Sequence, residues 1–361
     1  MRHRSLTAVD LFSGGGGLTV GLKRAGFQVV SAVELDPHAF ATYKANHPDT
    51  HAYKQDIRSI HGKDLAQWSP SGTVDLVAGC PPCQGFSSLT AKYRHCDPRN
   101  ELVIEMARIV REIMPTMVML ENVPGLARQP IFQEFLAALK DAGYIFSWDI
   151  LQTADYGIPQ KRRRLVLLAG RGFSIAFPCP THSHEGQNGL LPWNTLRNAI
   201  AHIGEPVTLQ EAKAMGGPKM ANWHVVRNLS SENMKRLAIT RPGASRATLP
   251  DSLRPACHKG KDKGFSNVYG RLTWDEPAGT ITGGCTTPSK GRFGHPDHLR
   301  TISVREAALV QTFPEDYIFD TDYMEKACDI VGNALPCDFA HILARQCMET
   351  ALAQYRRSVV T

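Results

Sequence analysis

Between residues 8 and 169, short apolar runs of strand length alternate with segments of helical spacing, and this alternation limits the fold more than any other property of the chain. Strand-like runs occupy 8–12, 27–33, 51–53, 74–78, 116–120, 145–151 and 165–169. Residues 18–25, 102–113 and 132–139 carry the apolar periodicity of helices. Strands joined through helices form parallel βαβ units, so the expected class is α/β: a doubly wound, mostly parallel, Rossmann-like sheet. The pattern lapses near Gly172. From 172 to about 300 the chain is rich in Pro, Gly and His and reads as a second, smaller, irregular domain. Helical patterning returns at 304–312 and 338–355, so 301–361 is expected to complete the first domain, whose main body is 1–171. No internal repeat or low-complexity tract is visible.

Open α/β sheets bind ligands beyond the carboxyl ends of their strands, so residues there carry the functional reading. Ser13-Gly14-Gly15-Gly16-Gly17 follows the first strand and brings backbone N–H groups and a helix N-terminus within reach of a ligand. Glu34 ends the second strand, 20 residues after Gly14, where an acid usually binds ribose hydroxyls. Asp56 ends the third, where it can accept from an adenine amino group. Either acid alone is better read as a helix N-cap or a surface carboxylate. Together with the glycines they suit a nucleotide, and a dehydrogenase fits so far.

The segment Gly79-Cys80-Pro81-Pro82-Cys83-Gln84-Gly85-Phe86-Ser87 places thiols on a loop stiffened by two prolines. By itself it suits a nucleophile, a buried structural cysteine, or a Cys-x-x-Cys redox or metal pair. Glu121 falls at another strand end. A thiolate beside a carboxyl group suits covalent attack assisted by an acid, which a dehydrogenase does not need. Asn122-Val123-Pro124-Gly125 is turn-prone, so Glu121 also reads as a turn residue.

At 361 residues, with 42% hydrophobic and 21% charged content, the chain has the composition of an ordinary globular protein. No apolar run approaches the roughly 20 residues that span a bilayer, and no apolar signal core follows the first residues. Nine irregularly spaced cysteines do not form a disulfide framework and suit a reducing cytosol. The expectation is a cytoplasmic protein without a membrane partner. A net charge of +7 favours a polyanion. Lys161-Arg162-Arg163-Arg164 is one basic run, and Arg254, His258, Lys259, Lys261 and Lys263 form another. A charge run is commonly a solvated face, but two with interleaved aromatics raise a nucleic-acid reading.

These residues meet in a family. The chain resembles the DNA (cytosine-5)-methyltransferases, of prokaryotic or phage type, from about Val9 to about Ala340. Asp10-Leu11-Phe12-Ser13-Gly14-Gly15-Gly16-Gly17-Leu18 is similar to the family's cofactor loop, and Pro81-Pro82-Cys83-Gln84-Gly85-Phe86-Ser87 to its nucleophile loop. Glu121-Asn122-Val123 is similar to its acid motif, and Gln160-Lys161-Arg162-Arg163-Arg164 to its Gln-x-Arg-x-Arg segment. The segment from Arg305-Glu306 to Phe313-Pro314, and Gly332-Asn333-Ala334-Leu335-Pro336, resemble the last two motifs, in the usual order.

The resemblance implies S-adenosylmethionine as cofactor, held by Phe12, Gly14, Gly16, Glu34, Asp56, Ile57, Pro82, Leu102 and Asn333. It implies that Cys83 attacks carbon 6 of a flipped-out cytosine, that Glu121 contacts ring nitrogen 3, and that Arg162 and Arg164 support the ring carbonyl and the loop. The methyl group then passes to carbon 5. It further implies a double-stranded DNA substrate, a target-recognition role for 172–300, a monomer, and a cognate restriction endonuclease as a compatible partner. Cys80 stands where Gly is usual and is expected to be a spectator. Cys179, His182 and His184 do not make a zinc site, because a Pro-Thr-His turn is common in the family. The alternatives are an RNA (tRNA) cytosine-5 methyltransferase, whose Cys-Phe-Thr signature is absent here, and a non-catalytic DNA-binding homologue.

Overall fold

In the computed structural model, which describes residues 5–82, 101–259 and 266–360, the alternation becomes β1 (Thr7–Leu11), β2 (Gln28–Val33), β3 (His51–Tyr53), β4 (Leu76–Gly79), β5 (Met117–Asn122), β6 (Tyr144–Gln152), the two-residue β7 (Gln160–Lys161) and β8 (Arg163–Arg171). All but β7 form one sheet in the order β3-β2-β1-β4-β5-β8-β6. The pairs β1–β2, β2–β3, β1–β4 and β4–β5 are parallel, and β8 runs antiparallel to both β5 and β6. The strand order reverses between β1 and β4. That switch point is where a doubly wound sheet opens a ligand crevice, and here it lies between the strands that carry the glycine loop and the two-proline loop.

The sheet belongs to the first of two units, formed by Met1–Tyr156, Arg163–Pro180 and Leu335–Thr361. Helices α1 (Gly17–Arg24), α2 (Pro37–Asn46), α3 (Gly62–Ala66), α4 (Leu102–Ile113) and α5 (Pro130–Asp141) connect its strands. Strand residues Val9, Leu11, Val77, Val118, Leu120, Leu165 and Leu167 pack with Val103, Met106, Ile109 and Val110 of α4 and Phe132, Phe135 and Leu139 of α5. Burying side chains of this size stabilises by about 1.5–3 kcal/mol each, which makes this layer the main support of the strand ends. The periodicity of α2 is faint in the sequence. It forms because Asp36 accepts hydrogen bonds from the amides of His38 and Ala39, with Pro37 pre-set at the first helical position.

The second unit comprises Gly157–Arg162 and Thr181–Ala334. It holds α6 (Leu196–Ile200), α7 (Leu209–Ala214), α8 (Ser231–Ile239), α9 (Val304–Val310) and α10 (Met324–Asn333), with β7 paired to residues 278–279. Long strand ladders are lacking among its described residues, and buried arginines take up main-chain carbonyls instead. Arg271 donates to the carbonyls of His295, Leu237 and Pro296, and Arg305 to those of Asn222, Pro314 and Tyr317. The boundaries differ from the sequence expectation. Residues 172–180 group with the first unit, while 301–334 group with the second. The reason lies in α9: Arg305 binds Asn222, Glu306 takes a two-pronged bond from Arg300, and Gln311 bonds Gln160 and the carbonyls of Val331 and Ala334.

The chain then returns to the first unit as α11 (Cys337–Val360) and covers α1. At Gly21 the two helices approach so closely that an added Cβ would lie 2.5 Å from the Cβ of Ala340 and from the amide of His341. Arg24 and Asp338 pair at 2.5 Å, and the Tyr355 hydroxyl donates to Asp75 at 3.0 Å.

Candidate active site

A row of polar side chains crosses four adjacent strands of the first unit. Glu121 is the penultimate residue of β5, and its Oε1 meets Arg164 Nε of β8 at 2.7 Å. Glu121 is opposite Val166 in the antiparallel register; Arg164 lies two residues along, on the same face. Cys80 follows Gly79, which is level with Leu120, so the thiol stands beside Glu121 and feels its charge. Burial, and then the Glu121 charge, push the Cys80 thiol well above its ordinary value. Asn122 donates through Nδ2 to the Pro81 carbonyl at 2.9 Å, which ties the two-proline loop to the end of β5.

Asp10 completes the row from β1. Its Oδ2 accepts from the Thr19 hydroxyl at 2.6 Å, and Thr19 also bonds the Tyr43 hydroxyl at 2.9 Å. Its Oδ1 is buried and has no hydrogen-bond partner. Desolvation raises the Asp10 carboxyl to about 7, and the Glu34 charge adds to the rise. An isolated carboxylate deep in a sheet is costly, so the proton stays on at a pH where carboxyls are usually ionised.

The loop after β1 turns through left-handed backbone at Phe12 (φ 59°), Gly14 (φ 53°) and Gly16 (φ 96°). Glu34 holds it in place: Oε2 accepts the amide of Gly14 at 2.8 Å and Oε1 that of Asp36 at 2.7 Å. A Cβ added to Gly14 would meet nothing within 4 Å, so open space borders the loop there. Behind it, His47 bonds the Gly16 backbone, and burial lowers its ring to about 4, so it is neutral. Asp56 caps the turn Ile57–Ser59 through the amide of Arg58 and pairs with the Arg58 guanidinium, so the N-cap alternative is realised. Ile57 and Leu102 are buried, and half-exposed Pro82 follows the anchored Pro81.

The structure therefore gathers Glu121, Arg164 and the base of the two-proline loop on the strand ends that also carry Phe12, Gly14, Gly16 and Glu34. Arg162 and Asn333 belong to the second unit. There the buried Arg162 guanidinium donates through Nη1 to the carbonyls of Ile281 and Gly332, and Asn333 ends α10 exposed. Cys83 and the rest of its loop lie outside the described residues, as do Lys261 and Lys263. Sequence reasoning overlooked Asp10, the Asn122 clamp and the Cys80 contact. An acid inside an otherwise apolar strand was the available signal for Asp10.

The family model for C-5 cytosine-specific DNA methylases matches residues 6–349. The chain belongs to this family. This methylase is 36% identical over 345 residues to the Type II methylase M.HgiDII of Herpetosiphon aurantiacus, covering 93% of each chain. It is 32% identical over 350 residues to the Type II methyltransferase M1.HphI of Haemophilus parahaemolyticus, covering 94% of this chain and 86% of that one. A prophage-encoded E. coli chain assigned as a DNA modification methyltransferase superposes with a TM-score of 0.71 at 22% identity, covering 96% and 99% of the two chains, and supports the fold. Family membership makes this an enzyme that methylates DNA at cytosine carbon 5 and implies use of S-adenosylmethionine.

Proposed function

We propose that this methylase modifies cytosine within a fixed DNA sequence context, with Cys83 as nucleophile and Glu121 as the acid on the ring. The observation that carries the reading is the Glu121–Arg164 pair, set beside the anchored Cys80-Pro81-Pro82 segment at the sheet's switch point. A target base inside a duplex cannot be reached, so the cytosine is flipped out. Cys83 adds to carbon 6, which turns carbon 5 into an enamine-like nucleophile. Glu121 meets ring nitrogen 3 and offsets the charge that develops there, while Arg164 holds Glu121 Oε1. Loss of the carbon 5 proton and expulsion of Cys83 restore aromaticity. Arg162 is a further candidate for the catalytic set, and within the second unit it donates to the carbonyls of Ile281 and Gly332 beside Asn333.

The residues around the glycine loop fit S-adenosylmethionine. The left-handed turns at Phe12, Gly14 and Gly16, the open space at Gly14, and the orphaned Oδ1 of Asp10 all suit a polar ligand with a cationic end. Phe12, Gly14, Gly16, Glu34, Asp56, Ile57, Pro82 and Leu102 would hold it, and Asn333 is a further candidate by its motif. When bound, it supplies the electrophilic methyl group.

Residues 172–300 read the target in this proposal, with basic side chains positioning the phosphates and base-edge contacts giving specificity. The proposal takes the protein as a monomer acting in the cytosol, and a cognate restriction endonuclease is compatible with the Type II names of the relatives. No helix among the described residues is long and apolar enough to cross a membrane. Expression in a methylation-free host followed by bisulfite sequencing tests the reading. Methylcytosine in one context, lost in Cys83→Ser, is the expected result. Labelled methyl transfer to tRNA instead of DNA, or activity retained in Cys83→Ser, overturns it.

A further inference from the structure

We propose that Cys80 is a positioning residue for methyl transfer, its S–H donating to the Glu121 carboxylate that Arg164 grips from the other side. This rests on the reading of Glu121 as the group that meets the cytosine ring. Three observations support it. The backbone of Cys80 is fixed from two directions, because its amide donates to the Leu11 carbonyl at 3.4 Å and the next residue's carbonyl accepts from Asn122 at 2.9 Å. The register of β4 on β5 then sets the Cys80 side chain level with Glu121 on the adjacent strand. Third, the Glu121 carboxylate and the Arg164 guanidinium that grips it both act electrostatically on that thiol.

The chemistry of the group agrees. A thiol close to a carboxylate and partly withdrawn from water keeps its proton, since ionisation would set two anions side by side. Cys80 is therefore a donor, unlike the thiolate that attack on carbon 6 requires of Cys83. With Arg164 Nε on Oε1 and the thiol as a second donor, the carboxyl group has two fixed partners, and these set the direction in which it meets the ring. Glycine at this position supplies no such donor. The two cysteines of the loop thus divide the work, one orienting the acid and one attacking.

The test compares Cys80→Ala, Cys80→Ser and Glu121→Gln in the full chain, following transfer of labelled methyl groups to DNA. Loss of one modest hydrogen bond to a charged group is expected to lower kcat in Cys80→Ala by roughly five- to tenfold. KM for DNA and for S-adenosylmethionine is expected to stay within about twofold, because the contact orients a group rather than binding substrate. Cys80→Ser, which restores a donor, is expected to recover kcat to within about threefold of the parent. In a Glu121→Gln background Cys80→Ala is expected to cause no further loss. An unchanged kcat in Cys80→Ala, or a serine variant as slow as the alanine one, overturns the inference while leaving Glu121 in place. Full activity in Glu121→Gln overturns the reading of Glu121 itself.

Discussion

Arg164 and Glu121 face each other across antiparallel strands at 2.7 Å, with only 12% and 8% of their side chains exposed. Removing either partner leaves the other charge stranded in a poorly hydrated position, which costs about 3–5 kcal/mol for a buried pair. Arg164→Met is therefore expected to lower the denaturant midpoint strongly and to abolish methylation. Arg164→Lys keeps the charge but loses the planar fork, so most of the stability returns while kcat stays at least roughly tenfold down. Denaturant unfolding and methyl transfer, measured on both variants, separate the two effects.

Asp10 gives a stability term that grows more unfavourable with pH. Its folded value of about 7 exceeds the ordinary carboxyl value, so the folded protein holds a proton that the unfolded chain has released. The associated stability is complete below the ordinary value and is lost as pH rises through about 7. Asp10→Asn removes this dependence. Its melting temperature relative to the parent is expected to rise between pH 5 and pH 8, by an amount equivalent to roughly 2 kcal/mol. A pH-independent difference contradicts the assignment.

His295 works in the opposite direction. Its Nδ1 accepts the amides of Asp297 and His298, and burial followed by the Arg300 charge lowers the ring to about 3. Below the ordinary imidazole value the unfolded chain gains a proton that the folded chain refuses, so stability falls with pH from about 6.5 toward 3. The ring is expected to stay neutral at pH 5 in NMR titration. His295→Asn, which retains an acceptor, is expected to flatten the acid loss.

Two glycines with the same substitution are expected to fail in different ways. Gly14→Ala meets open space and costs only the strain of a left-handed alanine, about 1–2 kcal/mol, yet it puts a methyl group where the cofactor is proposed to lie. A raised KM for S-adenosylmethionine with a small melting shift is expected. Gly21→Ala drives a Cβ into Ala340 and the His341 backbone, so the melting temperature itself is expected to collapse.

The strands and α4 were legible because period and length agree there; residues 51–53 and 102–113 coincide with β3 and α4. Helices α2, α3, α6, α7, α8 and α10 fall outside the segments of helical spacing; α2, for one, relies on its Asp36-Pro37 start rather than an apolar stripe. At the site, the strand-end acids were legible by position. The Cys80–Glu121–Arg164 contact was not, because its members are far apart in the chain and meet only through sheet register. The basic run at 161–164 shows the limit of charge counting. Lys161 pairs with Glu276, Arg162 is buried on carbonyls, Arg164 is on Glu121, and Arg163 alone of the four is exposed.

The packing of α11 on α1 also governs when this protein can fold. Arg24 and Asp338 are 314 positions apart, and the face of α1 that Ala340 covers is bare until α11 is made. At ribosomal rates of about 5–20 residues per second, that wait lasts roughly 15–60 s. The helix behind the glycine loop is thus made long before the helix that covers it. The first unit is completed only once α11 has been made, and a ribosome stalled anywhere before α11 carries a first unit that is still unfinished.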